Sequence, residues 1–466
     1  MIAAMMFGLS GCSAQTASNS PSQVRDGSMI TDGIDSNSAD PWIIRHDGEY
    51  YYCKVMNDQI IILRSRNITD IAAGEETTAF GGGNGIEAYW APELHYLDNA
   101  WFIYFAAQPV GSDIHRMYVL SNDSADPYRG EWSLAELSGM DDKFAIDGTI
   151  VENNTGRYFV WSGWEGYENV QQNLYIAAME SPTRVRDEKI LISAPDYDWE
   201  RHGDPKVNEG PVAIIRGRTV NLAYSASGSW TDDYCIGLLT ASLDANLSKA
   251  DSWTKTKTPI LRSGNGIYGP GHNSFVESPD GKQTEMIYHS ARWSKGGWNR
   301  SVRFQTVSFD KNGVLQPITP QYSNQLAQTP SGEPERLRGL PSEFSANSGA
   351  VKIVKDAQAL SGVAAEGFED SSQEMSWTVT VPETRNYSIF VWVRMAQVHD
   401  ESETSSVRIS VDGNSGNHEE TIYQSQYYQP VVVRRQMKAG KCTVSLAFNS
   451  IGNPVSVDRI EIMPSA

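Results

Sequence analysis

The stretch NEGPVAIIRG (208–217) sets a carboxylate at the head of an apolar run, and an aromatic-containing strand, TVNLAYSASG (219–228), follows it. An ionised carboxylate is costly to desolvate unless it is paired or its pKa shifts, so Glu209 reads as a functional position. Four other stretches repeat the plan of a short polar or aromatic motif followed by an aromatic-rich strand. They are ADPWII (39–44) with GEYYYCKV, AYWAPELHYL (88–97) with AWFIYFAA, AIDGTIVENN (145–154) with RYFVWSGW, and GPGHNSFVESPDG (269–281) with TEMIYHSAR. With Asp40, Trp90, Asp147, Glu209 and His272 as markers, successive spacings are 50, 57, 62 and 63 residues. A period of roughly 50–60 residues with several short strands per unit is the mark of a β-propeller blade, and five units predict a five-bladed propeller. The first strand of each blade lines the central channel, so the five markers are expected around one axis. A β-sandwich with coincidental spacing is the rival arrangement.

The chain of 466 residues exceeds the size at which a single core stops growing, so two domains are expected. Its 13 Trp, 21 Tyr and 39 Gly suit turn-rich β structure and surfaces that stack on sugars. A net charge of −19 argues against nucleic acid and anionic membranes as partners, since both require basic patches, and fits a neutral ligand. No stretch reaches the roughly 18 apolar residues of a membrane span. The first residues, MIAAMMFGLSGCSAQ, contain Leu9-Ser10-Gly11-Cys12, which resembles the lipobox of bacterial lipoproteins. Residues 1–29 are therefore expected to be a lipoprotein signal and tether, with Cys12 acylated and the protein exported to the cell envelope, surface-anchored or secreted. Cys53, Cys235 and Cys442 lie outside any C-x-x-C spacing and are expected to be buried free thiols.

Residues 30–318 carry the propeller pattern. Residues 319–346, rich in Pro, Ser and Gly, read as a linker, either free or packed against its neighbours. Alternation resumes in SWTVTVPETRNYSIFVWVRMA, VVVRRQMKAGKCTVSLAF and VSVDRIEIM, so residues 347–466 are expected to form an all-β, jelly-roll-like sandwich.

A channel mouth holding Asp40, Asp147 and Glu209 would place three carboxylates in one concave site, where burial and like charge drive their pKa values apart. Glycoside hydrolysis asks for such a pair, one acid protonating the leaving oxygen and one carboxylate activating water or attacking carbon. Asp40-Pro41, Trp90-Ala91-Pro92-Glu93, Ile146-Asp147, Glu209-Gly210-Pro211 and Gly271-His272-Asn273, as an ordered set over about residues 33–320, resemble glycoside hydrolase family 43. The resemblance implies an inverting enzyme with Asp40 as general base, Glu209 as general acid, and Asp147 orienting Glu209 and raising its pKa. It also places His272 deep in the channel near a calcium ion or a water cluster; a calcium there would be held largely through water and would be the one cofactor.

Trp90, Trp164 and Trp230 are candidate sugar-binding faces, and Arg303 is expected to face the channel and hydrogen-bond sugar hydroxyls. Glu93 is expected to fix the loop of Trp90. The fourth and fifth repeats look most like the exo-acting α-L-arabinofuranosidase branch, whose substrates are plant cell-wall arabinan and arabinoxylan. A β-xylosidase, an endo-arabinanase and a non-catalytic glycan-binding lipoprotein are the alternatives. The C-terminal domain resembles a family 6-type carbohydrate-binding module, with Tyr423, Tyr427 and Tyr428 a candidate stacking platform or ordinary structural aromatics. The acidic metal-binding motif usual in such modules is not evident in AVKIVKDAQ (350–358), so the domain is alternatively a buttress.

Overall fold

The computed structural model describes residues 21–186, 188–368, 372–396, 402–414, 416, 419–449 and 454–465; Cys12 lies outside them. Five four-stranded blades surround a channel, as the repeat predicts, because each run between turn residues is rich in β-branched and aromatic side chains. Blade 1 comprises Trp42–His46, Glu49–Met56, Gln59–Ser65 and Glu75–Phe80, from the channel outward. Blade 2 comprises Ile86–Leu97, Ala100–Pro109, Arg116–Asn122 and Ser133–Glu136. Blade 3 is built on Ala145–Asn153, Gly156–Gly163, Gln171–Ser181 and Ile190–Ser193, and blade 4 on Lys206–Arg216, Thr219–Ala226, Cys235–Ser242 and Thr254–Lys255. Blade 5 takes Tyr268–Glu277, Thr284–Ala291 and Arg300–Val307, and its outer strand is Gly33–Asp35 from the start of the chain. That pairing joins the first and last blades and closes the ring.

The inner strands share one irregularity. Their ladders shift register between Ile146 and Thr149, Glu209 and Val212, Gly271 and Ser274, and on both sides of Trp90. A residue with positive φ sits at each break: Asp147 at 55°, Gly210 at 52°, His272 at 45°, and Ala88 and Ala91 at 53° and 43°. Asp40, just ahead of Trp42–His46, has φ 47°. A bulge bends the strand and re-aims a side chain, and here it does so at the channel mouth in blades 2 to 5, while the inner strand of blade 1 stays in register.

Two sheets of six and five strands form the C-terminal sandwich around a core that includes Trp377, Ile389, Val391, Leu446, Phe448 and Ile460. The expected linker is packed against its neighbours. Leu337–Gly339 pairs with Ser456–Pro464, and Ser345–Ala346 pairs with Glu374–Val381, so the sandwich starts inside it. The described part of the expected N-terminal tether is also folded, with Met29–Ile30 pairing with Ala327–Gln328 and Val24 buried beside Leu326, Leu340 and Leu360. One buried carboxylate organises this junction. Glu461 accepts from Arg336 at 2.7 Å, Arg338 at 2.6 Å and Arg459 at 3.1 Å, and Arg338 in turn donates to the Val24 carbonyl. The polar groups of these segments are paired internally. Cys53, Cys235 and Cys442 are buried and unbridged.

The sandwich packs on blades 1 and 5. Asp70 accepts hydrogen bonds from Ser65 and, across the junction, from Ser388, both at 2.6 Å. Arg303, expected in the channel, belongs to this junction. It forks onto both oxygens of Asp32, at 2.9 and 2.6 Å, and lies 5.0 Å over the Tyr427 ring. The reason is its face: Arg303 stands three residues after Arg300 on the strand Arg300–Val307, so its side chain leaves the sheet on the side away from the channel mouth. Asp32→Ala would leave the buried Arg303 guanidinium uncompensated and is expected to lower unfolding free energy by about 3–5 kcal/mol. Urea unfolding reads that loss, and the pair Asp32→Leu with Arg303→Met should recover most of it.

Candidate active site

At the mouth of the channel lies a pocket of about 430 Å³ lined by Asp40, Asp147, Glu209, Trp90, Trp230, His272, Trp298 and Arg300, among others. The five blade markers, far apart in the chain, therefore meet on one wall set by the inner-strand bulges. Each carboxylate has a distinct environment.

Asp147 is buried, and its Oδ2 accepts the Gly210 N–H at 2.9 Å, which ties it to the backbone beside Glu209. Burial, then repulsion from Glu209 and Asp40, pushes its carboxyl well above the ordinary range. Glu209 Oε1 accepts from the Tyr234 hydroxyl at 2.8 Å. Burial raises Glu209 to about 7, with Asp40 adding to the rise and the Tyr234 bond and Arg300 opposing it. Desolvation is thus the main cause for both acids, where partial burial and like-charge repulsion from Asp147 together were expected to lift Glu209. Two close acids of this kind titrate as a pair.

Asp40 behaves in the opposite way. Burial works to raise it, but His272, His289 and Arg300 outweigh burial and hold it below the ordinary carboxylate range. Its Oδ1 lies 3.1 Å from His272 Nδ1, 3.4 Å from His289 Nδ1 and 3.6 Å from Arg300 Nη1. The two imidazoles differ in role. The Asp40 backbone N–H donates to His289 Nδ1 at 3.1 Å, so that nitrogen is an acceptor, and burial drops His289 to about 3. Burial also lowers His272. The permanent cation facing Asp40 is Arg300. Its other amino group is fixed by the Ser229 carbonyl at 2.9 Å.

Close packing holds this arrangement. A Cβ on Gly271 would sit 2.1 Å from the Tyr234 ring, so the glycine makes room for the tyrosine that reaches Glu209. Gly210 needs positive φ, and a side chain there would press the His272 ring.

Three aromatic faces line the pocket. Trp90 is 44% exposed and stacks on His115 at 3.6 Å, which leaves its other face open. Trp230 and Trp298 meet edge to face at 6.4 Å, and Trp298 is 70% exposed. Trp164 is not a wall: it is buried in the blade 2–3 core and stacks on Phe144 at 4.5 Å. Glu93 is buried on His95, with Oε2 to Nε2 at 2.9 Å, and does not reach the Trp90 ring's pocket face. Tyr427 and Tyr428 are also buried, against the propeller and Asp356 respectively, so they form no exposed platform.

Sequence reasoning missed Arg300, His289, Tyr234 and Trp298. The odd separation of Arg300 and Arg303 along one strand sends their side chains to opposite faces, and the wrong one was favoured. Trp298 had a local signal, a tryptophan in the glycine-rich turn SKGGWN (294–299). His289 and Tyr234 come from second and third strands or their loops, for which the inner-strand repeat carries no information.

The side chains do not make a calcium site. His272 turns Nδ1 to Asp40, and no group of three or more His, Cys, Asp or Glu among the described residues could hold a metal. A hard cation prefers oxygen ligands, so a calcium ion beside His272 would be held mainly through water, as the family resemblance implies.

The family described as Glycosyl hydrolases family 43 matches residues 34–315. Alpha-L-arabinofuranosidase 43 of Humicola insolens is 35% identical over 333 residues, 68% of this chain and 67% of that protein. The extracellular exo-alpha-(1->5)-L-arabinofuranosidase of Streptomyces avermitilis is 36% identical over 304 residues, covering 61% of this chain and 62% of that protein. The chain thus spans about two thirds of the length of these curated relatives. Among solved structures, the alpha-L-arabinofuranosidase from Lactobacillus brevis aligns with a TM-score of 0.58 at 33% identity, covering 63% of this chain and 97% of that one. Because the matched span is the propeller that brings the three acids together, the chain belongs to glycosyl hydrolases family 43 and is a glycoside hydrolase.

Proposed function

We infer that the protein is an exo-acting, inverting α-L-arabinofuranosidase that releases L-arabinofuranose from α-1,5-arabinan or arabinoxylan-type chains. The observation that carries this reading is the opposite protonation of two acids in one pocket, Asp40 held ionised and Glu209 held protonated toward neutrality. The names of the Humicola and Streptomyces relatives support the sugar. The Trp230–Trp298 corner supports a pocket that takes a chain end.

In this mechanism Glu209 protonates the departing glycosidic oxygen while Asp40 takes a proton from the attacking water. The C–O bond breaks, the water oxygen bonds to the anomeric carbon on the opposite face, and the freed sugar has inverted configuration. Asp40 ends protonated and Glu209 ionised, and exchange with solvent resets both. Asp147 orients Glu209, and His272 and Arg300 keep Asp40 in its charged form. Two Streptomyces relatives are named extracellular, which supports export. An acyl chain on Cys12 would then hold the enzyme at the envelope.

Glu209→Gln is expected to lower kcat by roughly 10²–10⁴-fold on arabino-oligosaccharides. Unchanged turnover would remove the general-acid assignment. Proton NMR of the first-formed product distinguishes the β-anomer expected of inversion from the α-anomer of retention, and parallel xylopyranoside substrates should be poor. The alkaline limb of the kcat/KM profile should fall near Glu209's pKa of about 7. Tyr234 donates to the ionised form and so lowers that pKa; Tyr234→Phe should move the limb to higher pH, by roughly one unit. A limb that stays put would uncouple Tyr234 from the acid.

A further inference from the structure

The hairpin loop of blade 5, between Thr284–Ala291 and Arg300–Val307, carries two pocket residues at one end, Trp298 and Arg300. Its other side is held by the sandwich. The backbone N–H of Gln426 donates to the Arg292 carbonyl at 2.9 Å, and the Gln426 side chain donates to the Gly266 carbonyl at 3.0 Å, just ahead of the blade 5 inner strand. The Tyr427 hydroxyl donates to the Ala291 carbonyl, and the Arg292 guanidinium lies 5.2 Å over the Tyr423 ring. Within the loop, Arg292 N–H donates to the Asn299 carbonyl at 2.9 Å and its guanidinium to Asn299 Oδ1 at 3.0 Å. The neighbours of Asn299 are the pocket residues. From the propeller side, Asp232 accepts from Ser294 Oγ at 2.6 Å and the Lys295 N–H at 2.7 Å.

We propose that the C-terminal sandwich is a structural part of the active site, in which Gln426 and Tyr427 act as positioning residues that set the blade 5 hairpin and thereby the Trp298 wall against the sugar chain. The physical ground is the continuity of the chain of bonds from Gln426 and Tyr427 through Ala291, Arg292 and Asn299 to Trp298. Such a loop, bearing a 70% exposed tryptophan, has few buried apolar contacts of its own and depends on its anchors for a single conformation. A wall held in one place lowers the ordering cost when substrate binds. The same segment buries Tyr427, which removes it from any sugar-stacking surface. This inference rests on the pocket being the arabinofuranoside site.

The double variant Gln426→Pro, Tyr427→Phe in the full chain tests it. It removes the backbone N–H that the Arg292 carbonyl accepts and the hydroxyl that the Ala291 carbonyl accepts, while the Tyr427 ring keeps its place on Arg303, so the fold should persist; circular dichroism and a thermal melt check this. The expected result is a rise in KM for α-1,5-arabino-oligosaccharides of roughly three- to tenfold with kcat within about twofold. In a Trp298→Ala background the same double variant should change KM little, because its effect travels through Trp298. Hydrogen exchange at residues 292–299 should quicken in the double variant, and this readout holds even if the enzyme cuts a different sugar. No arabinose release by the wild type, with faster exchange still seen, would sink the substrate and leave the coupling. Unchanged exchange, KM effects that multiply with those of Trp298→Ala, a fall in kcat alone, or lost retention on insoluble arabinan with KM unaltered would each overturn the proposal.

Discussion

The structure depends on one backbone constraint, the break of the inner strands into left-handed bulges at the channel mouth. A regular strand alternates its side chains across the sheet and would leave the marker residues facing along the blade. The bulges at Asp147, Gly210 and His272, and the pair flanking Trp90, turn those residues toward the axis. Non-glycine residues pay for positive φ in strain, and the surrounding ladders of each four-stranded blade hold them there. The site is thus assembled by the same irregularity repeated around the ring, with Asp40 supplied from the left-handed residue that precedes the first blade.

Burial then does different things to chemically similar groups. Asp147 and Glu209 lose water without gaining a cation in direct contact, and both rise. Asp40 loses water too but faces Arg300 and the His272 ring, and it stays ionised. A few ångströms of difference in what each carboxylate meets separates acid from base. The separation relies on residues outside the repeated motif: Tyr234, whose place depends on the missing side chain of Gly271, and Arg300, pinned by the Ser229 carbonyl.

The C-terminal domain fits the same logic of shared support. Its residues reach the propeller through Asp70, Asp32 with Arg303, and the carbonyls of Ala291 and Arg292. Glu461 and its three arginines lock in the polar segments that flank both domains. Buried charge of this kind adds little net stability, but removing one partner is costly, so the junction is rigid in its geometry.

The sequence alone determined the propeller, since a repeat of like motifs at near-constant spacing can be read without any contact, and it determined the three acids and Trp90, His272 and Trp230, which stand in or beside those motifs. It also showed the sandwich by its alternation, though not where it begins, because strand pairing of Leu337–Gly339 with Ser456–Pro464 is a long-range choice invisible to local composition. Only the tertiary structure decided between Arg300 and Arg303, put Trp164 in the core, brought His289 and Tyr234 to the acids, and turned Tyr427 inward. Each of these depends on which face of a non-repeating strand or loop meets a neighbour. Local sequence sets a side chain's period along the chain; what lies opposite it is set by packing.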